Sequence, residues 1–359
     1  MSFSKQRVSS TKDPRLTHVI GQSEHQTVRD PLLLIIPVFN DWDTAFRLLS
    51  RLDITLSQHS MTARVILVDD GSTEASPSNA SGLELTVLTE IRILRLRRNL
   101  GHQRALAIGM AWVEQHLPQH TVLIMDADGE DAPEDIPRLL EKMEESSSGK
   151  IIFAERTLRS EGPLFRFSYL CYRTLHFLLT GRKIRFGNFS VIPRNCLPRL
   201  VVVSEIWNHY AAAVVKSRIP FDTIATHRRK RISGNSKMSF ASLITHGLSA
   251  LSVQGDIIGV RLLIGSAIAC ASAVIFLALL VGMRFITHWA VPGWYATAAG
   301  VTLIVLIQIL SLSLFFSFLT LQGRANTSFI PIRDYSYFLL DEILLQTDTA
   351  NRLNQIRAL

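Results

Sequence analysis

Cysteine is nearly missing from this chain of 359 residues, and the three present (Cys171, Cys196 and Cys270) stand far apart. No pair has the spacing of a zinc site or a disulfide framework, which suits a reducing compartment for the soluble part. A Gly-x-Ser-x-Gly elbow and a Walker A loop are also absent, which removes the common serine-hydrolase and P-loop chemistries. No internal repeat or low-complexity block stands out. Residues 1–30 are polar and mixed in charge, without the apolar core of a signal peptide, and read as a mobile tail. What the chain has in excess is apolar surface: 47% of residues are hydrophobic, concentrated after position 260. The net charge of +8 would suit nucleic acid, anionic lipid or phosphorylated substrates. The apolar C-terminal part favours the last two over nucleic acid.

The central stretch is Val122-Leu-Ile-Met-Asp126-Ala-Asp128-Gly-Glu130-Asp131. An apolar run that reads as a buried strand ends in four carboxylates. Strand alternation would put Asp126 and Asp128 on one face. Such a pair suits a hard divalent cation, Mg²⁺ or Mn²⁺, with diphosphate oxygens completing its shell. The alternative is a solvated acidic turn, with Asp131 as the N-cap of a helix that has Pro133 early in it. Two earlier runs end in the same manner. Residues 31–40 close on Pro37 and Asn40, and residues 63–72 close on Asp69, Asp70, Gly71 and Ser72. A helical period between them (Phe46, Leu48, Leu49, Leu52) makes a βαβ unit with a parallel sheet. Ligands collect at the carboxyl ends of such strands, where Asn40, Asp69, Asp70, Asp126 and Asp128 all fall.

Further strands are read at 91–96, 150–156, 186–194 and 221–226, with helices at 103–114, 136–143 and 204–218. Arg97, Arg98 and Arg104 either face a phosphate or solvate the surface. Residues 164–179 carry a broad apolar face that suits core or a helix lying in a membrane interface. The loop 227–237 holds five cations, with Ser233, Gly234 and Ser236, and can neutralise a diphosphate or a lipid phosphate or act as a membrane-surface patch.

A juxtamembrane helix is expected over 238–260 and two spans within 261–323. Residues 262–283 carry no formal charge between Arg261 and Arg284, and 295–321 carry none before Arg324. Trp289 and Trp294 sit between them as interface anchors. Gln308 and several serines inside the second run suggest a helix–helix face or one turned to an acceptor. Charge asymmetry places both termini, the domain over 31–237 and the tail 324–359 in the cytoplasm, and a bacterial inner membrane is favoured over endoplasmic reticulum.

The ordered set Ile36-Pro37-Val38-Phe39-Asn40, Val68-Asp69-Asp70-Gly71-Ser72, Arg98-Asn99-Leu100-Gly101-His102, Met125-Asp126-Ala127-Asp128-Gly129-Glu130-Asp131 and Arg231-Ile-Ser-Gly234-Asn-Ser236-Lys237 resembles glycosyltransferase family 2. Within it, the set is most similar to the polyprenyl-phosphate glycosyltransferases, the group of dolichyl-phosphate mannose and glucose synthases and their bacterial counterparts. The resemblance spans about residues 30–240, and the C-terminal spans agree with it. It implies an α/β class GT-A fold, a Rossmann-like sheet with helices on both faces, followed by a two-helix transmembrane hairpin. It further implies that Pro37, Asn40, Asp69 and Asp70 hold the nucleoside, and that Asp126 and Asp128 hold ribose and metal. Glu130 stands where relatives commonly have Gln and keeps a metal-ligand role open. Asp131 would lie near the acceptor, and Arg231, Ser236 and Lys237 would close over donor diphosphate and acceptor phosphate. Gly187-Asn188-Phe189 departs from the family's Gly-Asp-Phe, as does segment 204–210, both on the acceptor or sugar side.

The implied reaction is inverting transfer from a UDP- or GDP-sugar to polyprenyl phosphate at a lipid bilayer. The acceptor phosphate is ionised near neutral pH, with a second pKa of about 6, so no strong general base is required. Assembly of a homo-oligomer through membrane-proximal helices also follows from the resemblance. Two other readings are carried. One is a glycolipid synthase acting on a lipid hydroxyl, with Asp131 or Glu205 as base. The other is a non-catalytic nucleotide-binding scaffold. A processive polysaccharide synthase is disfavoured by the lack of a Gln-x-x-Arg-Trp motif and of further spans.

Overall fold

The structure is a computed structural model that describes residues 31–74, 85–146, 149–156, 174–181, 186–226, 231, 240–287, 294–325 and 329–347. In chain order the first half gives β1 (Leu32–Val38), α1 (Trp42–Gln58), β2 (Ala63–Asp69), β3 (Leu88–Leu96), α2 (His102–His116), β4 (Thr121–Ile124), α3 (Ile136–Glu145) and β5 (Ile151–Arg156). Next come α4 (174–180), β6 (Phe186–Ile192), α5 (Leu197–Leu200), α6 (Tyr210–Ser217) and β7 (Phe221–Thr226). The C-terminal part gives α7 (Phe240–Ser252), α8 (Gly255–Thr287), α9 (Trp294–Ala325), α10 (Pro331–Asp334) and β8 (Leu339–Thr347).

The strands form one sheet in the order β7-β5-β6-β4-β1-β2-β3-β8. β1, β2, β3 and β4 are parallel, as the βαβ reading required. The sheet as a whole is mixed, because β6 runs antiparallel to β4 and β5, and β8 antiparallel to β3. Both faces are covered, which is why β1 is apolar at every position rather than alternating. Leu33 and Ile35 pack with α2 and α6 on one side, while Leu34 and Ile36 pack with α1 and α3 on the other.

Several expectations change in detail. Residues 204–218 are not one helix. A 3₁₀ turn spans Ser204–Trp207, and α6 starts only at Tyr210, where extended His209 caps it by accepting from the Ala212 N–H. The membrane-proximal helix breaks between Ser252 and Gly255. The tail beyond Arg324, for which the sequence suggested no element, supplies β8. It closes the sheet edge at β3 with opposed charges: Arg95 pairs with Asp341, and Arg92 with Glu342. The Glu342 carboxylate also accepts from Trp112 Nε1 at 2.6 Å.

α8 and α9 are long and apolar enough to cross a membrane, over Gly255–Leu279 and Ala296–Leu319, and they pack as a hairpin. Ser266 and Ser313 hydroxyls meet at 2.6 Å between them, while Ile268, Phe276, Phe315 and Phe318 face outward. Such hydroxyls join helices where lipid offers no other polar partner. Three contacts tie the hairpin to the sheet domain. Arg261 donates to the Leu178 carbonyl at the end of α4 at 2.8 Å. Lys216 sits 3.8 Å from Asp256. The Ile332 N–H, in α10 just after the hairpin, donates to the Val201 carbonyl at 3.1 Å. Most of the 164–179 segment and Trp289 lie outside the described residues.

Glu342→Ala leaves the indole N–H of Trp112, which is 2% exposed, without its acceptor. A loss of about 1–3 kcal/mol in chemical denaturation is expected. Asp341→Ala breaks only a surface pair and should lose less than about 1 kcal/mol.

Candidate functional site

The parallel strands run β4-β1-β2-β3, so the chain leaves β1 in one direction for β2 and β3 and returns on its other side for β4. That makes the gap between the carboxyl ends of β1 and β4 the topological switch point, where open α/β sheets bind ligands. The gap is real. The β1–β4 ladder stops at Ile35–Ile124, while β1 stays paired with β2 as far as Val38–Asp69. Pro37, which has no N–H to donate, lies beyond the last β4 pair.

On the β1–β2 side, Asn40 takes a left-handed conformation (φ 49°) that Asn tolerates better than most residues. Its Oδ1 accepts from the Thr73 and Glu74 backbone N–H groups at 2.8 and 3.2 Å, and its own N–H donates to Ser72 Oγ at 3.0 Å. Asp69 accepts from the Ser72 N–H at 2.9 Å. Asp70 reaches the entry to α2, where its two oxygens accept from the Leu100 and Gly101 N–H groups at 2.7 and 2.9 Å. Burial pushes the Asp70 carboxyl above its ordinary range against the pull of those donors. Gly71 is required between them. Its φ is +68°, and a Cβ would lie 2.5 Å from the Arg98 and Asn99 backbone. Asp69 and Asp70 thus brace the rim of the crevice through backbone bonds.

On the β4 side the strand ends at Ile124, short of Asp126. The two aspartates are therefore brought together by a turn, not by strand alternation, and Gly129 (φ +73°) closes it. Asp131 is not a helix N-cap. It is buried, and its Oδ2 accepts from the Asp126 N–H at 3.2 Å. The Glu130 N–H donates to Asp128 Oδ1 at 3.0 Å. Burial raises the Asp128 carboxyl, and the charges of Asp126 and Glu130 add to that. Arg231 Nη2 lies 3.7 Å from both Asp128 and Asp41, bridging the β4 and β1 ends across the gap. Ser236 and Lys237 lie outside the described residues, as does most of the basic loop.

The site also contains residues the sequence reading assigned no role. Asp41 is one, although the strand-end rule that selected Asn40 would have reached it. His102 is another: it heads α2, with Nε2 3.2 Å from Asp126 Oδ1. Of the uncertain arginines, Arg104 stacks 5.1 Å from the Trp207 ring. Arg97 and Arg98 are exposed. Burial works to raise the Glu205 carboxyl, but Lys216 at 2.9 Å brings it below its ordinary range, a poor setting for a general base.

Among the described residues no three His, Cys, Asp or Glu side chains converge as a metal site. A cation here would take Asp126 and Asp128 and complete its shell from a ligand's oxygens. The carboxylate repulsion at Asp128 is the chemistry a cation relieves. Fold and site together define a mixed α/β protein with an acidic crevice at the switch point and an apolar hairpin. Residues 33–202 match the model of the Glycosyl transferase family 2, and the chain carries a domain of that family.

Two relatives extend the likeness beyond the domain. One is an undecaprenyl-phosphate 4-deoxy-4-formamido-L-arabinose transferase of Klebsiella pneumoniae (strain 342), 24% identical over 89% of this chain and 95% of that protein. The protein of the same name from Yersinia pestis (strain Pestoides F) is 26% identical over 78% and 85%. Among solved structures, glucosyl-3-phosphoglycerate synthase from Mycobacterium tuberculosis overlaps 64% of this chain and 80% of its own, at 14% identity and a TM-score of 0.47.

Asp70→Ala strips the acceptor from two N–H groups at the α2 entry and should destabilise the protein by about 2–5 kcal/mol in a denaturant titration. Asp128→Asn removes a carboxylate raised by burial and like charge. In metal-free buffer at neutral pH its melting temperature is expected to equal or exceed that of the parent.

Proposed function

We propose that this protein moves a sugar from a nucleotide-diphosphate sugar to the phosphate of a polyprenyl phosphate, with inversion, giving a polyprenyl-phosphate-linked monosaccharide. The observation that carries this is the placement of Asp126, Asp128 and Arg231 around the switch-point gap of a domain joined to an apolar hairpin. A donor diphosphate needs positive charge near it, and a lipid acceptor needs a membrane-proximal site. The names of the Klebsiella and Yersinia relatives support undecaprenyl phosphate as the acceptor type.

The residues divide the work. Pro37 and Asn40 line the β1 side, where the nucleoside is expected, and Asp69 and Asp70 hold that rim in shape. Asp126 and Asp128, with Glu130 within reach, are the groups suited to Mg²⁺ or Mn²⁺. Such an ion supplies charge neutralisation to the departing nucleoside diphosphate. Arg231 adds a fixed cation beside them, and Ser236 and Lys237 of the basic loop are assigned to donor and acceptor phosphates. An ionised acceptor phosphate oxygen attacks the anomeric carbon in line as the bond to the diphosphate breaks. Asp131, engaged with the Asp126 N–H, shapes the turn on the acceptor side. Arg261, Arg324 and Arg333 mark the domain end of the hairpin, which supports a cytoplasmic catalytic domain.

The test is transfer of labelled sugar from UDP-glucose, UDP-N-acetylglucosamine, UDP-4-deoxy-4-formamido-L-arabinose and GDP-mannose into lipid extracted from membranes carrying the protein, with Mg²⁺ or Mn²⁺ and added polyprenyl phosphate. Label in a mild-acid-labile lipid that depends on the added phosphate is the expected result. Label in an acid-stable lipid would mean a hydroxyl acceptor, and no label with any donor would refute the reading. Asp128→Asn should lower transfer by roughly two orders of magnitude or more. Lys237→Ala should raise the KM for donor or acceptor; unchanged kinetics would make the basic loop a membrane patch alone.

A further inference from the structure

Three side chains on α2 and β6 form a chain of polar contacts that the proposed chemistry has not used. The Tyr210 N–H, at the start of α6, donates to Gln103 Oε1 at 2.6 Å. Gln103 Nε2 donates to Asn188 Oδ1 at 3.1 Å. Asn188 Nδ2 then lies 2.9 Å from His102 Nε2, which is itself 3.2 Å from Asp126 Oδ1. The direction of this ladder is not free. A backbone N–H only donates, so the Gln103 oxygen must face Tyr210 and its nitrogen must face Asn188. Turning either amide over would set two donors or two acceptors against each other. Gln103 is 9% exposed and Tyr210 fully buried, where such a mismatch is costly. The start of the ladder is itself anchored, because the Tyr210 hydroxyl meets Ser190 Oγ at 2.8 Å and Ser190 Oγ donates to the Asn188 carbonyl at 2.9 Å.

We propose that Gln103 and Asn188 are positioning residues for the transfer: as a one-way amide ladder rooted at the Tyr210 N–H, they pin the His102 ring beside Asp126. This deepens the glycosyltransferase reading and rests on it. Nε2 of His102 faces both the Asn188 amide nitrogen and the Asp126 carboxylate, and it can pair with only one of them at a time: unprotonated, it accepts from Asn188, and protonated, it donates to Asp126. Asp126 has its N–H held by Asp131 on one side and its carboxylate faced by His102 on the other. The ladder thereby connects segment 204–210, where the chain departs from its family's pattern, to the acidic turn. It also gives Asn188 a use that depends on its amide: one end accepts from Gln103 and the other offers a donor to an unprotonated His102 Nε2, which an ionised aspartate cannot do.

The experiment uses the full chain in lipid nanodiscs, with variants Asn188→Ala, Gln103→Glu and the double variant. Asn188→Ala cuts the ladder without touching Tyr210. Gln103→Glu keeps an acceptor for the Tyr210 N–H and removes the donor to Asn188. Each single variant should lower kcat about tenfold, with KM for donor and acceptor within about twofold and a melting temperature lowered by only a few degrees, because each leaves one polar atom of the ladder without its partner. Because Gln103 acts through Asn188, Gln103→Glu should have no further effect in the Asn188→Ala background. Wild-type kcat in Asn188→Ala, a loss confined to KM, or independent losses that multiply in the double variant would each overturn the proposal. A second readout does not need turnover. The ring ¹⁵N signals of His102 should move in both single variants, and unmoved signals would overturn the ladder. If the unaltered protein transfers no sugar, the glycosyltransferase reading fails, and the ¹⁵N signals still decide whether the ladder holds His102.

Discussion

The site depends first on where a ladder of backbone hydrogen bonds stops. β1 is bonded on both sides through Ile35, but only to β2 from Ile36 onward. Parallel strands that part at their carboxyl ends leave a wedge whose walls are the turns after each strand. The Asn and Asp side chains of the crevice are carried on or beside those turns: Asn40 and Asp41 after β1, Asp69 and Asp70 at the end of β2, Asp126 and Asp128 after β4. Pro37 reinforces the parting, because it cannot donate a hydrogen bond. Arg231 then spans the wedge from a loop that follows β7, touching one carboxylate on each wall.

The carboxylates divide by what their oxygens already hold. Asp69, Asp70 and Asp131 are buried and accept backbone N–H groups of neighbouring turns. They give the crevice a fixed outline, since a buried carboxylate that loses such donors becomes expensive. Asp126 and Asp128 also face side chains, His102 and Arg231, while Asp128 Oδ1 keeps the Glu130 N–H; the side-chain contacts are the ones a ligand or cation would exchange. Acidic residues close together in sequence therefore serve opposite ends: one set holds the outline, the other faces whatever enters.

The hairpin is attached to the sheet domain at several separated points. Arg261 binds the end of α4, Lys216 lies between Glu205 and Asp256, and the segment after α9 packs Phe329 and Phe338 against Trp207. β8 continues that segment and finishes the sheet at β3. A domain bound at both ends of a two-helix hairpin is restricted in how it can tilt relative to that hairpin. Trp207 belongs to the same 204–210 stretch whose last residue, Tyr210, roots the contacts that reach His102. The apolar hairpin and the acidic turn thus share one packed region.

Local pattern was enough to read the parallel strands, the Asp and Asn residues at their ends, and the two apolar helices. Each of these shows in the chain itself as an unbroken apolar run and its punctuation, and burial on both faces leaves such runs no other use. The same pattern misjudged what depends on partners far away in sequence. β8 carries little periodicity of its own and is ordered by its antiparallel ladder with β3 and by Leu339, Ile343 and Leu345 packing on the core, with Arg95 and Arg92 meeting Asp341 and Glu342. Asp126 and Asp128 were recognisable as a pair, but a turn at Gly129 rather than strand alternation sets their geometry. The roles of His102, Asp41 and Asn188 arise only when α2, β1 and β6 come together. By itself the sequence determined which backbone would be buried and where it would end. Tertiary structure decided which polar ends would meet, because hydrogen bonds and ion pairs act over a few ångströms between residues that may be far apart in the chain.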